Sequence, residues 1–238
     1  FGNPEHPEVM WQLSEAVDGL AEACVAFGVP VVGGNVSLYN ESAGTDIDPT
    51  PVIGLLGIVD ELVRRPPGAT LVDGHRLVLL GPPDVSLSGS LWGATRDARG
   101  GVLAPLDLGL HQRVVDLVRD LVVSGRVDGV HDVSAGGLGV AIAEMVSRSG
   151  VGAHLARVDD HRALFGEGPS RVVLVVDPEC LSDVLAAAEA AAVPTTRIGL
   201  ATGDRLIVKG LLDVSVDDVV AAHTDRLPEA LGAGTTNR

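Results

Sequence analysis

Val29-Pro30-Val31-Val32-Gly33-Gly34-Asn35-Val36-Ser37-Leu38-Tyr39-Asn40-Glu41 sets a β-branched run ahead of two glycines, an amide, a hydroxyl and an acid. Strand ends that bring backbone amides and small polar groups to one point are where anions and metals bind. Asn35 and Ser37 alternate along an extended chain and so share one side. That suits an oxygen ligand for a metal beside a donor for a substrate. The same residues also spell a hairpin about a Gly-Gly turn, and at this level both readings stand.

Upstream, Met10, Leu13, Val17, Leu20, Cys24 and Phe27 recur at alternating three- and four-residue steps, which predicts a helix over Pro7 to Phe27 with one apolar face. Pro4 or Pro7 marks its first turn, Glu5 and Glu8 suit the positive dipole end, and Gly28 reads as a left-handed cap. This helix feeds a short strand at the opening stretch. Downstream, a polar loop from Ser42 to Asp48 and Pro49-Thr50-Pro51 lead to Val52–Val59, an apolar run broken by Gly54 and Gly57 that predicts a buried strand. A turn of helix is expected over Asp60–Arg65, and Pro66-Pro67-Gly68 puts a domain boundary at about residues 64–74.

Beyond it the pattern alternates. Strands are expected at Arg76–Leu80, Val127–Val130, Ala153–Leu155 and Val172–Val176, with a closing hairpin of Thr195–Leu200 and Leu206–Val208 about Gly203-Asp204. Helices are expected at Leu110–Val123, through Val140 to Val146, at Leu181–Ala192 and at Ser215–His223, ahead of a disordered tail from Gly232. Val85–Trp92 reads as a loop or a loose helix start. Strands alternating with helices make a layered α/β, or α+β, domain.

The chain has 238 residues, 46% of them hydrophobic, and can bury a sizeable core in one or two domains. No run approaches a membrane span, and no charged segment precedes an apolar one as in a secretion signal, so a cytoplasmic place is expected. Phe1-Gly2-Asn3-Pro4 reads like the interior of a longer sequence, which suggests a fragment or processed chain. Thirty-two acidic against 17 basic residues give a net charge of −15. That balance argues against nucleic acid, and any phosphate must be held by backbone amides, a divalent metal or scattered arginines. Lys209 is the single lysine and no G-x-x-x-x-G-K-[ST] is present, which excludes a P-loop on these residues. Cys24 and Cys180 lie far apart in apolar segments and read as buried reduced thiols.

Besides Gly33-Gly34-Asn35, two glycine-containing strand ends stand out: His131 to Gly139 and Gly166 to Arg171. The glycines Gly136 and Gly137 open a helix, so free amides and the positive dipole end suit a phosphate; close helix–sheet packing is the competing reading. His131 and Asp132 form either an acid–base pair or, the favoured reading, a cap and hydrogen-bonded anchor. Glu144 is expected to be a solvated or capping carboxylate. Arg171 beside Ser170 suits a phosphate, or equally an ion pair with Asp159 or Asp160. Trp92 reads as packing rather than a base-stacking platform, and the other histidines show no ligand spacing.

Phe1-Gly2-Asn3-Pro4-Glu5, Val32 to Glu41, Pro49-Thr50-Pro51-Val52-Ile53-Gly54 and His131-Asp132-Val133-Ser134-Ala135-Gly136-Gly137 occur in the order found in the PurL family, the phosphoribosylformylglycinamidine synthases of purine biosynthesis. The resemblance runs from Phe1 to about Val208, and the arginine-rich, lysine-poor composition resembles an actinobacterial member of the small type. It implies a PurM-like fold: residues 1–65 as the last part of a second N-terminal-type domain, 75–215 as a complete C-terminal-type α-β-α domain, and 216–238 as a terminal helix and tail. It also implies ATP contact at Gly34, a Mg²⁺ ligand in the Asn35 side-chain oxygen, and substrate binding at Ser37. An amide oxygen suits a hard cation. The loops holding Gly136, Gly137, Ser170 and Arg171 match family motifs whose counterparts in the other half of the molecule carry substrate contacts; here they serve an auxiliary nucleotide or the fold alone. The implied reaction is ATP-dependent amidation of a nucleotide substrate with ammonia from a glutaminase subunit, in a complex bridged by a small third subunit. The implied partners also include the N-terminal part of PurL, with its catalytic histidine and remaining metal-binding acids. A non-catalytic scaffold half that binds an auxiliary nucleotide and organises partners is the alternative. Aminoimidazole ribonucleotide synthetase and selenophosphate synthase share the PurM-like fold but lack the Gly-Asn-Val-Ser-x-Tyr-Asn-Glu segment.

Overall fold

The computed structural model describes residues 1–59, 61, 64–98 and 100–232. The turn of helix expected over residues 60–65 lies partly outside this set, and the tail beyond Gly232 lies wholly outside it. The chain divides into two compact units, Phe1–Val63 and Arg64–Arg238.

In the first unit, α1 (Pro7–Phe27) begins with Pro7 in its first turn, where a missing N–H costs nothing. It ends at Gly28, whose φ of 64° turns its N–H onto the Cys24 and Val25 carbonyls. Its apolar stripe has little to cover it: Val9 is its one buried residue, while Met10 and Val17 are exposed. The short strand expected at the opening stretch is not observed: residues 29–38 have no regular secondary structure. The far end of this stretch is pinned by the first residues of the chain. The Phe1 amino group donates to Ser37 O at 3.0 Å, Tyr39 N to Gly2 O at 2.8 Å and Asn40 N to Phe1 O at 3.2 Å.

A hairpin does follow, but not at Gly33-Gly34. β1 (Glu41–Ser42) and β2 (Thr45–Asp46) pair antiparallel about Ala43 and Gly44, which hold φ of 53° and 76°. Two successive left-handed residues give the turn whose twist matches a hairpin. The buried strand expected at Val52–Val59 is not observed. The run has no regular secondary structure and is exposed, with Leu56 at 92%. Its β-branched, apolar composition needs a neighbouring ladder and a facing layer, and neither occurs among the described residues of this unit.

The second unit is layered as the alternating pattern predicts, in the α-β-α arrangement that the resemblance implies. Its elements are β3 (Arg76–Leu80), α2 (Leu91–Ala94), α3 (Leu108–Ser124), β4 (Gly129–Asp132), α4 (Gly137–Ser149), β5 (Ala153–Leu155), α5 (His161–Phe165), β6 (Val172–Val176), α6 (Leu181–Ala190), β7 (Thr195–Ala201), β8 (Arg205–Val208), β9 (Leu212–Ser215), α7 (Val216–Thr224) and α8 (Arg226–Ala230). One seven-stranded mixed sheet runs β4-β6-β3-β7-β5-β8-β9.

Strand alternation sorts the core into two faces. Leu77, Leu79, Val173 and Val175 point to one side, where Leu138, Ile142 and Met145 of α4 and Val216 of α7 cover them. Val78, Leu80, Leu174 and Val176 point to the other, against Val114, Leu117 and Leu121 of α3 and Val184 and Ala188 of α6. Fully apolar strands are what a sheet buried on both faces requires.

β7 and β8 are not the expected hairpin. β5 lies between them, antiparallel to β7 and parallel to β8. Gly199 makes room: a Cβ there would stand 2.1 Å from His154 O on β5. Gly152, just before β5, sits inside the β7–β8 turn, donating to Gly203 O at 2.7 Å and accepting from Thr202 N at 2.9 Å. β9, α5 and α8 were not anticipated from the pattern.

Candidate functional site

Gly34, Asn35 and Ser37 lie on the irregular segment that follows α1, and all three are exposed. A Cβ added at Gly33 or Gly34 would meet none of the described residues within 4 Å, and neither residue has a positive φ. None of the described residues therefore demands glycine there, whereas a ligand approaching the backbone would. The Ser37 hydroxyl is oriented by Asn40, whose Nδ2 donates to it at 3.2 Å and to Phe1 O at 2.9 Å. Asn35 offers an amide oxygen, a suitable hard ligand for Mg²⁺. One such oxygen is a single corner of a coordination shell, and the described residues contain no group of three or more His, Cys, Asp or Glu able to hold a metal.

Beneath this segment Asp46 ties the unit together. Its Oδ1 accepts from Asn3 N at 2.8 Å, and its Oδ2 lies 2.7 Å from His6 Nδ1. The Asn3 amide, followed by the His6 bond, holds the Asp46 carboxyl below its ordinary pKa, and the hydrogen bond to Asp46 raises that of His6. The pair therefore supports the fold between those two values. Its contribution fades as pH falls through the lowered carboxylate value or rises through the raised imidazole value.

The second unit holds a cleft of about 1030 Å³. Ser170 and Arg171 line it, together with His111, His131, Asp132, Ser134, Ala135 and Glu167. His131, at the end of β4, has its Nε2 2.9 Å from Glu144 Oε2 on α4. Glu144 is thus an anchor for His131 rather than a solvated carboxylate. His131 Nδ1 lies 3.2 Å from Asp132 Oδ1 but without hydrogen-bond alignment. Burial pushes the Asp132 carboxyl up, but hydrogen bonds to the Ser134 side chain and its own backbone, with His131 beside it, hold it below the ordinary value.

The helix opening at Gly136-Gly137 is engaged from within. Glu167 Oε1 accepts from Gly136 N at 2.8 Å and from Leu91 N, at the start of α2, at 2.7 Å. The glycines also serve packing: a Cβ at Gly137 would stand 2.6 Å from Gly166 O, and one at Gly139 2.9 Å from the Phe165 ring.

Ser170 is nearly buried with φ of 63°, and its Oγ lies 3.0 Å from His111 Nδ1. Arg171 does not pair with Asp159 or Asp160; Asp160 instead caps α5, accepting from Ala163 N. The Arg171 side chain is 5% exposed, its Nε and Nη1 are buried without a hydrogen-bond partner, and burial lowers its pKa. Trp92 packs as expected, stacked on Phe165 at 4.5 Å with Arg96 over its ring. Cys24 and Cys180 are free thiols, each partly exposed rather than buried. Sequence reasoning missed Glu167 and His111 as site residues. Glu167 had one signal, an acid between two glycines in a loop already singled out; His111 had none.

The family described as AIR synthase related protein, C-terminal domain, matches residues 72–210, and its N-terminal domain matches residues 1–59. The phosphoribosylformylglycinamidine synthase subunit PurL of Nocardioides sp. is 42% identical over 98% of this chain, which covers 31% of that relative. The PurL of Methylocella silvestris is 41% identical over 98% of this chain, covering 32% of its own. The chain thus spans about a third of the length of the curated relatives it matches. Among solved structures, T. maritima PurL complexed with FGAR aligns with a TM-score of 0.55 at 18% identity, over 65% of this chain and 29% of that one. T. maritima PurL complexed with ATP aligns at 0.52 and 17%, over 65% and 27%. At such identity these two show a shared fold. With the C-terminal-domain match spanning β3 to β8 of the second unit and the N-terminal-domain match preceding it, this chain belongs to the AIR synthase related protein family.

Proposed function

We propose that this chain is the part of a PurL, a phosphoribosylformylglycinamidine synthase of cytoplasmic purine biosynthesis, that contributes Gly34, Asn35 and Ser37 to the catalytic site. On this reading residues 1–65 complete a PurM N-terminal-type domain begun on sequence outside these 238 residues, and 75–215 form the following C-terminal-type domain. The observation that carries the reading is the exposed Gly33-Gly34-Asn35-Val36-Ser37 segment, whose glycines answer no packing or conformational need among the described residues. The PurL relatives and the PurL structures solved with FGAR and ATP supply the chemistry that such a segment would serve.

Mg²⁺-bound ATP would supply the phosphoryl group that turns the formylglycinamide oxygen into a leaving group for attack by ammonia. Gly34 lets the main chain lie against the nucleotide without a side chain intervening. Asn35 Oδ1 contributes one metal ligand. Ser37 Oγ, held by Asn40, positions the substrate. The remaining ligands and the general acid–base groups belong to the rest of the enzyme, and ammonia to a glutaminase subunit. A solved PurLQS assembly from Thermotoga maritima is among the structural neighbours.

In the full-length enzyme Asn35→Ala is expected to lower amidine formation by at least about 10²-fold, the order lost with one electrostatic contact to a reacting group, while the melting temperature stays unchanged. Normal turnover with a lowered melting temperature would instead support the scaffold reading. The 238-residue chain alone is expected to yield no amidine product; measurable product would refute the division of the site.

A further inference from the structure

We propose that the open edge of β7 at Thr195–Arg197, with Arg157 beside it, is a docking site for an extended acidic segment of a partner polypeptide. Three observations carry it. The first is a gap in the sheet. β5 is registered with β7 only along Gly199–Ala201. One further bond follows, from Ala156 N to Ile198 O at 3.0 Å, and the chain then bends at Arg157. Beyond that point no strand among the described residues is registered with Thr195, Thr196 or Arg197 on the β5 side, and all three are exposed. An edge of this kind offers backbone donors and acceptors to which an extended segment can add.

The second is charge. The chain carries 32 acidic against 17 basic residues, so a bare arginine is its scarce charge. Arg157 and Arg197 are exposed, and neither guanidinium has an ion pair or hydrogen bond among the described residues. The nearby acids, Glu189 and Asp159, pair with neither. The adjoining sheet face continues the pattern. Arg76, Leu200, His154, Ile207 and Asp213 are register partners in one row across β3, β7, β5, β8 and β9. They point away from α4 and α7, because their strand neighbours, such as Leu155 and Leu206, pack under those helices. The apolar layer under α3 and α6 reaches no residue of β7, β5, β8 or β9, so within this unit the row has no helix over it. Arg76 is likewise unpaired among the described residues, and the row's one acid, Asp213, is taken by Arg205 at 2.6 Å.

The third is shape. Arg157, Thr195, Thr196 and Arg197 line a groove of about 570 Å³, with Leu185 and Val193 as its apolar lining. Alternate side chains of an extended segment share one face, so an acid at every second position would meet the two arginines and the threonine hydroxyls. A guanidinium takes a carboxylate by two parallel hydrogen bonds. Nucleic acid is the poorer occupant: it has no main-chain amides for the β7 edge, and the net charge of −15 repels its backbone.

The test uses the 238-residue chain and a fluorescein-labelled peptide of alternating Glu and Thr, with Gln-Thr and Lys-Thr peptides and an oligothymidylate as comparison arms. The Glu-Thr peptide is expected to bind saturably, to lose affinity as salt rises, and to slow hydrogen exchange at amides of Thr195–Arg197. The three other ligands are expected to bind at least about tenfold more weakly. Arg157→Gln combined with Arg197→Gln is expected to weaken Glu-Thr binding about tenfold, the loss of two exposed ion pairs, at an unchanged melting temperature. Each single variant, expected to weaken it about threefold, gives the same reading should the double variant fail to fold. Equal binding of the Gln-Thr peptide would overturn the acidic assignment. Undiminished binding by the variants, or binding that leaves exchange over Thr195–Arg197 unchanged, would overturn the site. Oligothymidylate bound as tightly, and lost in the same variants, would give the groove to nucleic acid instead. No binding of the Glu-Thr peptide would overturn the proposal and leave the arginines as guards of an open edge. The readout needs neither substrate nor turnover, so it fails separately from the proposed synthase role.

Discussion

Glu167 shows what a single side chain can decide in this molecule. One of its oxygens accepts from the first amide of α2 and from the amide that opens α4, two helices that no sequence pattern links. Glu167→Ala would leave both donors without an acceptor, at a cost of about 1–3 kcal/mol for the more buried of them. For a domain of this size that is a fall in melting temperature of about 2–4 °C per kcal/mol. Glu167→Gln keeps an acceptor oxygen and should lose less. A thermal melt in which the alanine variant matches wild type would count against the bridge. The role was hidden from the sequence because the two partners stand 76 and 31 residues away. The proposal for Asn35 and Ser37 rests instead on adjacent glycines and on alternation, both local.

Among the elements, legibility follows how far each must reach for its partner. α1 declares itself through apolar spacing and through Gly28 at its cap, and α3 through apolar spacing alone; its cap, Asp107, emerges only in the structure. β3 and β6 do so through unbroken apolar runs, which a sheet covered on both faces demands. Val52–Val59 has the same composition and makes no strand, because composition records a preference and pairing needs a partner. The ribbon from Thr195 to Val208 misled in another way. Its turn chemistry at Gly203-Asp204 is that of a hairpin, but Gly152 and Gly199 open a slot that β5 fills. The same glycine logic decides the start of α4, where Gly137 and Gly139 bring the helix against Gly166 and Phe165.

At the scale of the whole molecule the two units differ in kind. The second buries two apolar layers on either side of a seven-stranded sheet, while the first leaves most of its apolar residues in water. Native-state hydrogen exchange on the 238-residue chain should therefore be slowest at the central strands β3 and β6 and close to the unprotected rate over residues 52–59. Protection over 52–59 equal to that of β3 would contradict the difference. The intercalated β5 carries one more consequence, for the order of events during synthesis. A hairpin of β7 and β8 would snap shut as soon as both had left the ribosome. Here the ribbon closes only around a strand made long before it, so β5 waits as an unfinished edge until Arg205–Val208 emerges to lie alongside. The last strands to be translated are the ones that seal the domain, and a chain stalled before them exposes a template for pairing with its neighbours.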